Sequence, residues 1–481
     1  MAKINQKQTM RTVNRSGYTA YRMPEKLKLV TQVLTSFFNE KKFYGDNSQE
    51  MKDTIVAAIR KDAAFVAKLA VFARREFHMR TVAHVLVAHL AHEVEGKPYT
   101  RAATKVVCLR GDDATEILAC YLSEFGKPVP NALKKGLADA MTGFDEYTLA
   151  KYKGEGKQVK MRDVLCICRP TPKDEQQSDL WKRLLNGELK TPYTWETELS
   201  AKGNTAEVWE QLIDSGKVGY MALLRNLRNI LNANPGNLEK ALATIEDPAA
   251  VRRSRQLPFR YLSAYKQVAN SADSRVLDAL ENAAEAACEN APKLKGKTVI
   301  AVDVSGSMGD TISEKSDVRC SEIAMLLGMM AGRMCERYVL YTFDTEIRKM
   351  PVSSRSGILE KTMATPCGGG TNMHLPFERM IAERLDADRV IILSDQECNR
   401  GPRASWWGTQ ETVQQMADWY RRESGNDIWV HAIDLQGYGT QQFTGHKTNI
   451  IAGWSEKVLD FIRLAEQGEG SLVETIARYT L

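Results

Sequence analysis

The chain is predicted to fold as a run of antiparallel α-helices followed by an α/β domain on a mostly parallel sheet. Two spacings of apolar residues carry that expectation. From about Glu50 to Gln267 they recur at helical intervals: Ile55, Ile59, Val66, Leu69 and Phe72 form one stripe, and Ile213, Met221, Leu224, Leu227 and Leu231 mark later faces. After Ala287 they come instead in strand-length runs, Val299–Val302, Val339–Phe343, Val390–Leu393 and Ile428–Ile433, separated by helical stretches such as Ile323, Leu326, Leu327, Met330 and Met334. Alternating strands and helices imply a sheet covered on both faces, whose ligands sit outside the carboxyl ends of the strands.

In chain order, the helical part is cut by short turns at Gly96-Lys97-Pro98, Gly111-Asp112-Asp113, Gly126-Lys127-Pro128, Asn234-Pro235-Gly236 and Asp247-Pro248. Helices joined by such turns read as an α-solenoid, although no clean repeat period is visible. The junction is placed at Asn282–Lys297, giving a helical module over residues 16–287 and an α/β domain over 288–481.

With 481 residues, 43% of them hydrophobic, the chain can bury sizeable cores. No apolar segment approaches the roughly 18 residues of a membrane helix, and Met-Ala-Lys-Ile-Asn-Gln-Lys-Gln lacks a signal-peptide core, so a cytoplasmic protein without membrane partners is expected. Nine cysteines scattered through both halves agree with reduced thiols, and Cys166 and Cys168 read as helix-face residues. The net charge of +6 is unevenly divided. Residues 1–300 hold 47 Lys and Arg against 35 Asp and Glu, whereas 301–481 hold 19 against 25. A basic amino-terminal module favours a phosphate backbone as partner, with a merely solvated surface as the alternative.

Asp303-Val304-Ser305-Gly306-Ser307-Met308 directly follows the run Val299–Val302, which places a carboxylate and two hydroxyls at the tip of a buried strand. Oxygen ligands alone suit a hard divalent cation, Mg2+ foremost. Thr371, in Gly368-Gly369-Gly370-Thr371-Asn372, and Asp395, after Val390–Leu393, supply further oxygens. A serine-glycine turn beside an unrelated aspartate is the plainer reading, but order, loop placement and strand context agree with a metal site. Together Asp303, Ser305, Ser307, Thr371 and Asp395 resemble the metal-ion-dependent adhesion site of von Willebrand factor A domains.

The whole chain from about Ser16 to Leu481 resembles the Ro autoantigen family, whose members join a ring of HEAT-like helical repeats, the TROVE module, to a carboxy-terminal von Willebrand factor A domain of Rossmann-like α/β fold. The resemblance is carried by Ser16-Gly17-Tyr18, by Met161-Arg162-Asp163-Val164-Leu165-Cys166-Ile167-Cys168-Arg169-Pro170, by Met221-Ala222-Leu223-Leu224-Arg225-Asn226-Leu227, by Leu257-Pro258-Phe259 and by the metal-site residues. It implies a noncatalytic protein, expected as a monomer, that binds small noncoding Y-like RNA on its outer surface. It also implies that the ring admits the single-stranded 3' ends of misfolded RNA, in RNA quality control or as a tether to an exoribonuclease. The resemblance puts Arg162 and Arg169 at basic positions associated with RNA contact, and Cys166 where some relatives carry another basic residue. Arginine suits the role because its planar guanidinium pairs with phosphate and stacks on unpaired bases.

The amino-terminal charge excess adds Lys68, Arg74, Arg75, Arg80, Arg101, Lys105 and Arg110 as candidate phosphate contacts, any of which could equally be a solubilising surface residue. His84, His89 and His92 share a predicted helix, but no cysteine or carboxylate set completes a zinc site, and packing or RNA contact remain their readings. Lys295-Gly296-Lys297-Thr298 lacks the first glycine of a phosphate loop and leads into a strand, which argues against a nucleotide triphosphatase. Trp406-Trp407 and Trp419-Tyr420 read as packed core or as a partner surface beside the metal. Two rival functions need no RNA: a metal-dependent protein-interaction scaffold, and an adaptor of a chelatase or ATPase.

Overall fold

The computed structural model describes residues 10–36, 48–256, 258–288, 293–311, 316–353, 356–399, 412–453 and 456–481. Trp406, Trp407 and Leu257 lie outside them. A mostly helical region precedes a mixed α/β domain. Among the described residues no helix is long and apolar enough to cross a membrane.

One compact unit comprises residues 25–193 with 473–481, and the other comprises residues up to Pro24 with 194–472. In the first unit, helix Ser48–Arg75 is broken at Asp62, whose backbone (φ −156°, ψ 74°) leaves the helical region. The Asp62 carboxylate accepts a hydrogen bond from the Phe65 N–H at 3.0 Å, so the next segment starts with its own cap. Helix Thr81–His92 is buried from Val82 to Ala91 and packs against Ser48–Arg75, Lys97–Val107 and Gly111–Phe125. Its all-round apolar character is that of a central rather than a surface helix. The chain end returns to this unit: Lys68 Nζ donates to the Ala477 carbonyl at 2.6 Å and Tyr479 Oη donates to Glu76 Oε1 at 2.7 Å.

The second unit holds a six-stranded sheet in the order β5 (Ile347–Lys349), β4 (Cys335–Phe343), β3 (Leu294–Asp303), β6 (Arg389–Ser394), β7 (Trp429–Asp434) and β9 (Thr448–Ala452). All neighbours are parallel except β5, which runs antiparallel to β4 at one edge. One face buries Val299, Ala301, Tyr341, Phe343, Val390 and Ile392 beneath Phe377, Met380, Met416 and Tyr420. On the other face lies helix Cys320–Met334, where a Cβ on Gly328 would stand 2.8 Å from Val302 Cγ2. Glycine is therefore what lets helix and strand approach.

Helices from Trp195–Lys202 to Ser274–Cys288 belong to this unit. Lys266 Nζ donates to both carboxylate oxygens of the buried Glu322 at 2.8 Å, and Arg333 holds Glu285 through Nε and Nη2. These pairs fasten the last two helices to the sheet domain. A second sheet was not legible in the apolar pattern: β1 (Arg11–Val13) and β2 (Thr19–Arg22) form a hairpin, and β2 pairs antiparallel with β8 (Thr440–Gln441).

Candidate functional site

Because β3 and β6 run parallel with Val302 beside Leu393, their carboxyl ends emerge together, carrying Asp303 on one and Ser394 then Asp395 on the other. Asp303, Ser305 and Asp395 are fully buried, Thr371 nearly so, and Ser307 is exposed at the loop surface. Asp303 Oδ1 accepts from the Ser305 N–H at 2.9 Å and Oδ2 from the Ser394 hydroxyl at 2.6 Å. The Ser305 and Ser307 hydroxyls lie 3.2 Å apart.

Three loops are tied together to make the site. The Gly306 N–H donates to the Gly369 carbonyl at 2.9 Å and the Gly368 N–H to the Val304 carbonyl at 2.8 Å, which joins the serine loop to the glycine loop. The Thr371 N–H donates to Asn399 Oδ1 at 3.0 Å, and the Asn399 N–H returns to the Thr371 carbonyl at 3.1 Å, which joins the glycine loop to the segment after Asp395. A Cβ on Gly370 would meet Asn399 Nδ2 at 2.9 Å, so this tie needs glycine there. The five expected oxygen ligands thus come from loops joined at the same sheet end.

Electrostatically the site is short of positive charge. Burial, and then the neighbouring Asp395, push the Asp303 carboxyl up to about 7. Burial raises Asp395 also, with the Ser307 hydroxyl offsetting part of the rise. Asp395 Oδ2, Gln396 Oε1 and Nε2, and Glu397 Oε1 are buried with no hydrogen-bond partner among the described residues. Gln396 itself has φ +62°, in the left-handed region that a non-glycine residue rarely adopts. Each orphaned polar atom costs about 1–3 kcal/mol, so acidic oxygens collected without a cation are costly as they stand. Such a donor set fits a hard divalent ion, to which Asp303 and Asp395 would supply charge and Ser305, Ser307 and Thr371 neutral oxygens.

Glu397 is a neighbour that sequence reasoning missed; its signal was only its place two residues after Asp395. Burial and then Asp395 raise its carboxyl, while Arg15 opposes the rise. Its Oε2 accepts from the Ser16 N–H at 3.2 Å, and Asn14 Nδ2 donates to the Cys398 carbonyl at 2.6 Å. The Asn14–Tyr18 turn, with Gly17 at φ +77°, therefore braces the loop that follows Asp395. Of the aromatics expected near here, Tyr420 is buried core and Trp419 is 39% exposed.

The candidate RNA residues divide sharply in the helical unit. Arg162 and Arg169 are exposed at the two ends of helix Met161–Cys168, and their guanidinium groups make no hydrogen bond or ion pair among the described residues. Arg169 takes φ +47° as the helix stops, the left-handed cap conformation, with its N–H donating to the Leu165 carbonyl at 2.9 Å. Cys166 is exposed between them. Arg75 and Lys105 are also exposed.

Arg74 is not a surface residue, which corrects the expectation for it. It is 5% exposed, and its Nη2 donates to Asp113 Oδ2 at 2.8 Å. The fully buried Asp113 also accepts from Arg80 Nε at 2.9 Å and from the Leu109 and Arg110 N–H groups at 3.0 and 2.9 Å. His84 Nε2 lies 3.0 Å from its Oδ1. Against the cost of burial, His84, Arg74 and Arg80 hold the Asp113 carboxyl far below the usual range. Arg80 is committed to this network and to Asp112, so it is held for structure as well.

Arg101 is exposed but clamped on Asp139 through two bonds of 2.7 and 2.9 Å, Arg110 is shared between Asp112 and the Tyr152 hydroxyl, and Lys68 is spent on Ala477. His89 and His92 pack on Phe125, the first edge-on and the second stacked at 4.0 Å between ring centroids. Charge counting cannot separate these classes, since a buried partner distant in sequence leaves no local signal.

Comparison with known proteins accords with this architecture. The TROVE domain family model matches residues 20–187 and 178–304, and the Ro60 vWA domain model matches residues 297–419. The RNA-binding protein RO60 of Deinococcus radiodurans is 28% identical over 213 residues, 40% of this chain and 39% of that protein. The RNA-binding protein RO60 of Caenorhabditis elegans is 26% identical over 251 residues, 49% of this chain and 38% of that protein. Telomerase protein component 1 of Rattus norvegicus is 25% identical over 324 residues, half of this chain but 12% of that protein. The chain thus spans well under half the length of these relatives. The crystal structure of the Deinococcus radiodurans RO (RSR) protein superposes with a TM-score of 0.63 at 19% identity, covering 92% of this chain and all of that one, so the fold is shared. With family models covering residues 20–304 and 297–419 in this order, the chain belongs to the Ro family of TROVE-domain proteins.

Proposed function

We propose that this protein binds RNA without catalysing a reaction on it. Structured small noncoding RNA is held on the helical unit and single-stranded 3' ends of misfolded RNA are captured, in RNA quality control or as a tether to an exoribonuclease. The observation that carries the reading is the pair Arg162 and Arg169, two exposed guanidinium groups without carboxylate partners at the ends of one helix. A guanidinium left unpaired on a folded surface keeps all its donors for phosphate oxygens. Two relatives are named RNA-binding proteins, which supports the same class of ligand.

The strand-end site is proposed to hold Mg2+ through Asp303, Ser305, Ser307, Thr371 and Asp395. A bound cation there would supply a coordination position for an acidic side chain of a protein partner, and the exposed Ser307 lies on the side open to it. A cytoplasmic location, where reduced thiols and RNA coincide, goes with this reading. Crosslinking in the native cell followed by sequencing of the attached RNA tests it. Enrichment of a discrete small RNA is expected, and recovery of nothing above an untagged control would refute RNA binding.

A further inference from the structure

The helical unit contains a cavity of about 600 Å3 between the end of helix Lys97–Val107, the end of helix Asn131–Met141 and the short helix Glu146–Lys151. Its walls combine three aromatic rings, Phe144, Tyr147 and Tyr152, with three cations, Lys105, Arg110 and Lys173. The volume falls within the roughly 300–1,000 Å3 typical of small-molecule sites.

We propose that this cavity receives one unpaired nucleotide of a bound RNA, its base stacked on Tyr147 and its phosphate against Lys105 and Lys173. The inference rests on the RNA-binding reading and adds to it a place for a flipped-out base.

The roles of the rings follow from their surroundings. Tyr152 is already engaged: Arg110 Nη2 donates to its hydroxyl at 2.9 Å, and the guanidinium carbon stands 5.1 Å from its ring centroid. This ring fixes a cation at the rim. Tyr147 is the available platform, since it remains 49% exposed although it is a large aromatic. Lys151 Nζ, 5.8 Å from the Tyr147 centroid and 5.9 Å from that of Tyr152, adds positive charge between the rings. Exposed aromatic rings interleaved with cations are the elements that bind single-stranded nucleic acid, because every base has a π-face and every linkage a charge.

The charge balance of the cavity favours an anion. Lys105 and Lys173 are both exposed, and neither ammonium makes a hydrogen bond or ion pair among the described residues. The carboxylate on the wall, Asp139, is matched by the two bonds from Arg101. The position also suits a continuous RNA path. Helix Asn131–Met141, which contributes Asp139 and Ala140, packs against helix Met161–Cys168 bearing Arg162 and Arg169, and Lys173 follows Arg169 by four residues.

The test uses the full chain and fluorescence anisotropy with two probes, a short fluorescein-labelled oligouridine and a blunt RNA duplex. Tyr147→Ala is expected to weaken oligouridine binding roughly 5- to 150-fold, the range given by loss of one aromatic stack. Duplex affinity should stay unchanged, and Tyr147→Phe should bind both probes like the parent. Replacing Lys105 and Lys173 together with Ala should flatten the salt dependence of oligouridine binding by about 1.4 decades per decade. Since Tyr147 is half exposed, a melting curve near the parent's is expected to show that the fold is kept. Parental oligouridine affinity in Tyr147→Ala would overturn the nucleotide pocket while leaving RNA binding elsewhere intact. Absence of binding by the parent to either probe would remove both readings. If the variant instead loses binding of a polyglutamate probe while keeping oligouridine affinity, the cavity takes acidic protein and the proposal fails.

Discussion

Replacing Asp113 with Ala is expected to cost the helical unit about 5–7 kcal/mol, and the geometry of its five partners sets that size. The carboxylate is fully buried, and the Arg74 side chain that donates to it is only 6% exposed. Removing one member of such a buried pair leaves an uncompensated charge and costs about 3–5 kcal/mol. The N–H groups of Leu109 and Arg110 lose their acceptor at the start of helix Gly111–Phe125, and being partly buried they add about 1 kcal/mol each. Arg80 retains Asp112 at 2.9 Å and adds little. Asp113→Asn keeps an acceptor oxygen for the backbone and should lose nearer 3 kcal/mol, mostly the charge. Since domains are stable by only about 5–15 kcal/mol, the Ala variant should sit close to its folding limit. Urea titration followed by far-ultraviolet circular dichroism, on parent and both variants, measures the difference. A loss below about 1 kcal/mol in Asp113→Ala would show that the network does not bear on stability, and would return Arg74 and Arg80 to the candidate phosphate contacts.

Replacing both Arg162 and Arg169 with Ala should show the opposite pattern, weakening structured-RNA binding by about 1–3 kcal/mol in filter-binding titrations with a nearly unchanged melting curve. Normal RNA affinity with a lowered melting point would make those arginines structural. Asp303→Ala and Asp395→Ala should each abolish calorimetrically detected Mg2+ and Mn2+ binding while the helical unit stays folded; unchanged binding in both would remove the proposed metal centre. Burial lowers His89 from 6.5 to about 4, so the folded state binds fewer protons than the unfolded chain between those values. Stability supplied by the neutral ring is therefore complete above pH 6.5 and is lost as pH falls towards 4, by about 3 kcal/mol at 1.36 kcal/mol per decade. His89→Leu should flatten that part of the pH–stability profile, and a profile identical to the parent's would assign the loss to other groups.

Local spacing determined a great deal. The helical stripes, the four strand-length runs that became β3, β4, β6 and β7, and the position of Asp303 and Asp395 at strand ends were all legible, because periodicity and the turn that follows a strand are written in consecutive residues. The short edge strands β5 and β9 were not seen, since strands of three and five residues carry too little alternation. The amino-terminal hairpin was visible only as the words Ser16-Gly17-Tyr18. Its role in bracing the loop after Asp395 depends on Asn14 and Cys398, 384 positions apart.

Tertiary structure alone decided which charges are available to a ligand. In sequence, Arg74 and Arg75 are equivalent neighbours at the end of a helix; in the fold the first is buried on Asp113 and the second is exposed. Lys266 and Glu285 likewise carry no sign in sequence of their partners, Glu322 and Arg333, which folding brings to them from the sheet domain. The reason is the same in both cases. A helix stripe specifies which face is apolar, but the partner that pairs a buried charge is brought there by chain folding, and no spacing along the sequence encodes a contact made across it.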